Sequence, residues 1–159
     1  MNLIEAWFDG VCEPKNPGGH AAYGVLVKVN GVTVLADGGY VGEGRGMSNN
    51  VAEYAGCLCA MQEIEKHPGV AIIRGDSKLV IYHLVPDPSI GRKWKVNGGA
   101  YMPYHLKVVE VFSRIRERVT LEWITRDDNG ECDRLSKKVL HDMGVKFRIQ
   151  PEQPERRSA

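Results

Sequence analysis

The sequence predicts one mixed α/β domain, and three observations carry that prediction. The chain has 159 residues, 43% hydrophobic and 26% charged, which is ordinary for a globular protein and long enough for one real core. Short apolar runs and helical patterns follow one another in the order β-β-β-α-β-α-α-β-α, with no internal repeat. The first three strands succeed each other directly, as in a meander, while helices separate the later ones, as parallel neighbours require.

Each element has its own reason. Residues 3–9 hold Leu3, Ile4, Ala6, Trp7 and Phe8, a run that reads as a strand buried on both faces and ended by Asp9. Residues 21–30 and 32–41 read as strands joined at Asn30-Gly31, a hairpin signal. Residues 42–50, GEGRGMSNN, form a loop into a helix capped by Ser48, Asn49 or Asn50. That helix is predicted over 50–66 and stops at His67-Pro68-Gly69. Residues 70–74 are a short apolar strand leading to Gly75-Asp76, and helix 77–85 is closed by Pro86-Asp87-Pro88. Residues 89–102 are irregular, with Arg92, Lys93 and Lys95 around Trp94. A third helix is predicted over 103–118, a strand over 119–125 and a last helix over 130–143. The domain is expected to span residues 1–146. Residues 147–159, ending in QPEQPERRSA, are expected to be a disordered tail.

Charge and cysteines narrow the function classes. The formal net charge of +1 excludes a broad basic field, so any nucleic-acid surface must be a local patch. The first apolar run contains Glu5 and Asp9, which suits neither a signal peptide nor an anchor. No uncharged stretch approaches membrane-spanning length. Cys12, Cys57, Cys59 and Cys132 form no C-x-x-C pair. Reduced thiols, no zinc and a cytoplasmic location are therefore expected.

Four carboxylates hold the chemistry. Asp9 follows a buried strand, and burying an ionised carboxylate is costly unless it is paired or holds a cation. Glu53 falls in the first turn of a helix and heads the uncharged stripe Cys57, Ala60, Ile64. Taken alone, it is an ordinary first-turn Glu favoured by the helix dipole. Asp76 is either an N-cap or a ligand at the carboxyl end of a parallel strand. Asp133 opens the amphipathic pattern Cys132, Leu135, Val139, Met143, and alone would be a solvated first-turn Asp. Together they would repel by about 1 kcal/mol per close pair in water, and several-fold more at lower dielectric. Hard divalent cations relieve that repulsion, and two of them bridged by carboxylates suit phosphodiester chemistry.

The ordered set DG-x-C…NPGG…YG, SNN-x-x-E-Y-x-G, GDS-x-x-V and W-x-x-RDDN-x-x-CDRLS resembles the ribonuclease H type 1 family from Asp9 to about Met143. The resemblance implies a ribonuclease H-like fold: a five-stranded mixed sheet, its first three strands antiparallel, flanked by helices. It implies an endoribonuclease that hydrolyses the RNA strand of RNA–DNA hybrids with Mg²⁺, or Mn²⁺ in its place. Two ions would act with substrate bound, leaving 5′-phosphate and 3′-hydroxyl ends. By motif, Asp9, Glu53, Asp76 and Asp133 become the catalytic, metal-binding set. Asn16, Asn49 and Asn50 become contacts in the minor groove of the hybrid, where amides can read a 2′-OH. Ser48 falls where a hydroxyl grips a phosphate of the DNA strand. Trp94 packs on a sugar beside Lys95, or is a partly buried loop Trp. Lys137 and Lys138 read as surface. A monomer is expected.

The chain departs from the family pattern in three places. Lys78 stands where Gln is frequent, and the basic segment around Trp94 is short. The loop Arg126-Asp127-Asp128-Asn129 lacks the histidine that many members carry there. None of the five histidines is expected to replace it: His67 sits at a helix stop, His83 and His105 in helices away from the motif ends, His141 two helical turns beyond Asp133, and His20, in the loop after Asp9, is the one left open. Two other readings are weaker. A related DNA nuclease would carry an acid where Val11 stands, and a non-catalytic hybrid-binding module would have no need of four carboxylates.

Overall fold

The computed structural model describes residues 1–149. The chain forms β1 (Leu3–Glu13), β2 (His20–Val29), β3 (Val32–Glu43), α1 (Asn49–Glu65), β4 (Val70–Gly75), α2 (Lys78–Leu84), α3 (Met102–Ile115), β5 (Val119–Trp123) and α4 (Gly130–Asp142). The strands make one sheet in the order β3-β2-β1-β4-β5. β1, β2 and β3 pair antiparallel, and β4 and β5 add in parallel. This is the ribonuclease H-like fold that the sequence motifs imply. Asn30 and Gly31 both have positive φ, 50° and 80°, which closes the β2–β3 hairpin with the twist that paired strands favour.

Two expectations for β1 change. The strand does not end at Asp9: residues 10–13 stay paired with Tyr23 to His20 of β2. Nor is it buried on both faces. Ile4, Ala6 and Phe8 are sealed in the core, whereas Glu5 and Trp7 are only half-buried. On that second face Arg74 pairs with Glu5 at 2.8 Å and lies 5.2 Å from the Trp7 ring centroid. The Arg74 and Lys28 side chains lie over the indole as cation–π partners.

α1 is buried almost all round, from Val51 through Leu58 and again at Ala60, Met61 and Ile64. It lies between the sheet and α3, so its small and apolar residues, rather than a polar face, fit every side. α4 packs against the first three strands, with Cys132, Leu135, Ser136 and Leu140 buried. Val139, partly buried, packs beside Leu140 as the pattern predicts, and only Met143 falls outside the stripe, being exposed. Packing also continues past residue 146. Phe147 clusters with Ala22 and Leu140, and Arg148 pairs with Glu13 at 3.1 Å. The expected tail at 150–159 lies outside the described residues.

Close helix–sheet approach depends on Gly24. A Cβ there would collide with the Cys132 carbonyl oxygen and lie 2.9 Å from the Leu135 Cβ. Gly24→Ala should therefore lower stability in urea titration by about 1–3 kcal/mol, the usual cost of overpacking. A neutral result would mean that α4 is not seated on β2 at this point.

Candidate active site

The parallel register places the first two carboxylates side by side. Phe8 of β1 and Gly75 of β4 are the last paired residues of the two strands. Asp9 and Asp76 each come next, Asp9 within β1 where β4 leaves it and Asp76 just past the end of β4, on strands that lie about 4.8 Å apart in a sheet. Asp76 is free for this place because Ser77, not Asp76, caps α2, its Oγ accepting from the Val80 N–H at 3.2 Å. Trp123 fixes the turn by donating its indole N–H to the Asp76 carbonyl at 3.1 Å.

Glu53 arrives from α1. The cap is Ser48, whose Oγ accepts from the Val51 N–H at 3.3 Å, so the helix begins at Asn49 and Glu53 opens its second turn. Gly10 lets that turn touch β1, since a Cβ at Gly10 would collide with the Glu53 amide. One oxygen each of Asp9, Glu53 and Asp76 lie within 4.8 Å of one another. Asp9 and Glu53 are buried, and Asp76 is half-buried.

The electrostatics follow from that crowding. Burial, with the Asp76 and Asp133 charges adding to it, pushes Asp9 up to about 7. Burial and then the Asp9 charge hold Glu53 well above the usual carboxylate range. Asp76 is raised by burial too, with Arg126 pulling against it. The buried oxygens Glu53 Oε2 and Asp76 Oδ2 have no hydrogen-bond partner. An all-oxygen, anionic donor set with orphaned oxygens fits a hard divalent cation, Mg²⁺ or Mn²⁺, and fits no soft metal.

Asp133 stands apart from this cluster. It lines one cavity of about 590 Å³ with Asp9 and Glu53, but its Oδ2 is held by Lys137 Nζ at 3.0 Å. Asn16 and Asn49 line the same cavity and lock each other, Asn16 Oδ1 accepting from the Asn49 amide and Asn16 Nδ2 donating to Asn49 Oδ1. Asn50 follows on α1. Trp94 is half-buried away from the acids, donating its indole N–H to Asp87 at 2.7 Å and packed on Tyr82. Lys95 beside it is exposed. His20 is tied to Tyr40 and Glu43, and His67 to Glu63. His141, expected too far along the helix, does line the acidic cavity, its ring stacked on Phe147.

Several positioning residues escaped the sequence reading. Asn129 is buried and donates from Nδ2 to the Phe8 carbonyl at 2.8 Å, tying the start of α4 to the residue before Asp9. An Asn ahead of a helix looks like any cap, so its long-range bond left no signal. Gly10 and Gly24 stand in the DG and YG motifs, but nothing local shows that α1 and α4 pass directly over them.

The raised carboxylates fix a pH dependence. Between the ordinary value near 4 and about 7, the folded metal-free protein holds protons that the unfolded chain has released. Its stability should fall as pH rises through that window and stay lowered above it. In EDTA at pH 8, Asp9→Asn should therefore melt above the parent, by on the order of 2 kcal/mol, and the gap should close near pH 4. A lower-melting Asp9→Asn at pH 8 would mean that Asp9 is stabilised in its ionised form.

Residues 7–139 match the reverse transcriptase-like family. An RNase H1 from the halophilic archaeon Halobacterium salinarum is similar in structure, with a TM-score of 0.72 at 24% identity, covering 88% of this chain and 98% of its own. The N-terminal RNase H domain of a Mycobacterium tuberculosis protein gives 0.74 at 24%, covering 91% and 97%. LC11-RNase H1, solved in complex with an RNA/DNA hybrid, gives 0.73 at 21%, covering 89% and 99%. At these identities the structural likeness speaks for the fold, while the matched stretch includes Asp9, Glu53, Asp76 and Asp133. The chain belongs to the reverse transcriptase-like family and has the RNase H-like fold.

Proposed function

We propose that this protein is an endoribonuclease that hydrolyses the RNA strand of RNA–DNA hybrids, leaving 5′-phosphate and 3′-hydroxyl ends. The observation that carries the reading is the cluster Asp9, Glu53 and Asp76 with two orphaned buried oxygens. Asp133 faces the same cavity, and a protein of the same fold is known with a hybrid bound. Asp9, Glu53, Asp76 and Asp133 would hold two divalent ions. Such ions, when bound with substrate, neutralise the scissile phosphate and lower the pKa of a water nucleophile.

The remaining roles belong to the chain's own side chains. Asn16 and Asn49, cross-bonded and therefore held in place, offer amides to 2′-hydroxyls in the minor groove, with Asn50 beside them. Ser48 accepts from Val51, which leaves its hydroxyl hydrogen to donate to a phosphate oxygen. Lys95 meets phosphates and Trp94 a sugar at the far end of the interface. Arg126, which acts on Asp76 through space, adds positive charge at the rim.

A labelled hybrid incubated with Mg²⁺, then with EDTA, beside duplex DNA and duplex RNA, tests this directly. Cleavage of the RNA strand of the hybrid, lost in EDTA, is expected. Asp9→Asn and Asp76→Asn should each remove more than nine-tenths of the activity while hybrid binding is kept or tightened, because each removes negative charge facing phosphates. A variant retaining more than about a tenth of the rate at saturating Mg²⁺ would contradict the site. His20→Ala and His141→Ala should stay within about tenfold of the parent in single-turnover cleavage at saturating protein. A general acid–base residue would cost about 10²–10⁴-fold.

A further inference from the structure

The cavity is larger than the acids need. At about 590 Å³ it has room for roughly twenty waters, and of the three clustered acids only Asp9 and Glu53 line it. Much of the remaining wall comes from α4 and the segment after it. Asp133, Lys137 and His141 lie four residues apart in succession, so they share one face of α4, about 6 Å per step along the axis. Asp133 shares the cavity with Asp9 and Glu53, and Lys137 and His141 beyond it bring basic groups.

His141 is held by more than its own helix. Its ring stacks on Phe147 with centroids 4.3 Å apart and planes at 5°. Phe147 is buried against Ala22 and Leu140. The next residue straps the segment across the end of β1. The Arg148 backbone N–H donates to Glu13 Oε2 at 3.0 Å, and its guanidinium bonds both Glu13 oxygens and the Cys12 carbonyl. A side chain on an exposed helix end is thereby held in one place.

Lys137 is engaged with Asp133 at 3.0 Å, on a half-exposed side chain. That bond competes with any cation for the same carboxylate. Once Asp133 turns to a cation, the ammonium loses its partner and faces a cavity that a polyanion enters.

We infer that Lys137 and His141 form a subsite for a backbone phosphate of the cleaved strand, next along the strand from the scissile phosphate. Phe147 and Arg148 hold the subsite in place. The inference rests on the hybrid-cleaving reading above and adds the direction in which the strand leaves the acids: along α4 toward the C-terminal segment. Lys138, one residue on and paired with Asp142 at 2.6 Å, borders a neighbouring depression with Lys137 and His141 but does not line this cavity.

Binding of a fluorescent RNA–DNA hybrid, measured by anisotropy in the uncleaving Asp9→Asn background across a salt series, tests it. Lys137→Gln with His141→Gln should weaken binding about fivefold or more at low salt and lower the salt slope by about 1. Lys138→Gln, which removes the same charge, should change affinity less than twofold, and Lys137→Arg should keep it. Thermal melting of each variant separates lost binding from lost folding. Equal effects of Lys137→Gln and Lys138→Gln, or no effect of the double change, would overturn the subsite while leaving the hybrid reading intact. Failure of the Asp9→Asn protein to bind any hybrid would overturn both.

Discussion

Three carboxylates forced within 4.8 Å of one another, two of them buried, are the constraint around which the rest of the fold is arranged. Like charges at that separation repel by several kcal/mol once water is excluded, and burial adds to the cost. Elsewhere the chain pairs its half-buried acids with cations: Glu5 with Arg74, Glu13 with Arg148, Glu63 with Lys66 and His67. Among the described residues no such ion pair reaches Asp9, Glu53 or Asp76. Arg126 acts on Asp76 only through space, so the cluster stays without a direct ion pair, as a cation-binding centre would rather than a structural ion-pair network.

The scaffold supplies the precision. The parallel pairing of β1 with β4 stops at Phe8 and Gly75 and so sets Asp9 beside Asp76. α1, enclosed on all sides, is fixed in rotation by the residue after Glu53. The Tyr54 hydroxyl lies 2.6 Å from His83 Nδ1 and 2.9 Å from His105 Nδ1. A hydroxyl has one hydrogen, so one imidazole accepts it and the other donates. Burial lowers both histidine pKa values and keeps the rings neutral in that arrangement. These histidines serve the site by holding α1, at a distance from the acids.

Much of this was legible in the sequence, for identifiable reasons. Strands and helices declared themselves because turn chemistry is local: Asn30-Gly31, Ser48 and Ser77 act within three residues of where they stand. The acids at strand and helix ends were legible for the same reason. What escaped was long-range. Asn129 acts on a residue 121 positions away, and Arg148 on one 135 away, so no local pattern marks either. Gly24 matters only because α4 passes over it. The segment after residue 146 looked like tail since one phenylalanine and one arginine, each needing a distant partner, carry its packing. Lys137 looked like surface, which it is, until its carboxylate partner is seen to belong to the cavity.

Anomalous diffraction from a crystal equilibrated with Mn²⁺ tests the central claim most directly. The account predicts a peak bounded by carboxylate oxygens of Asp9, Glu53 and Asp76, at roughly 2.0–2.3 Å from them, as oxygen-ligated divalent ions require. The peak should vanish in Asp9→Asn. A protein that crystallises with those three carboxyls still clustered at saturating Mn²⁺ and shows no ion among them would contradict it.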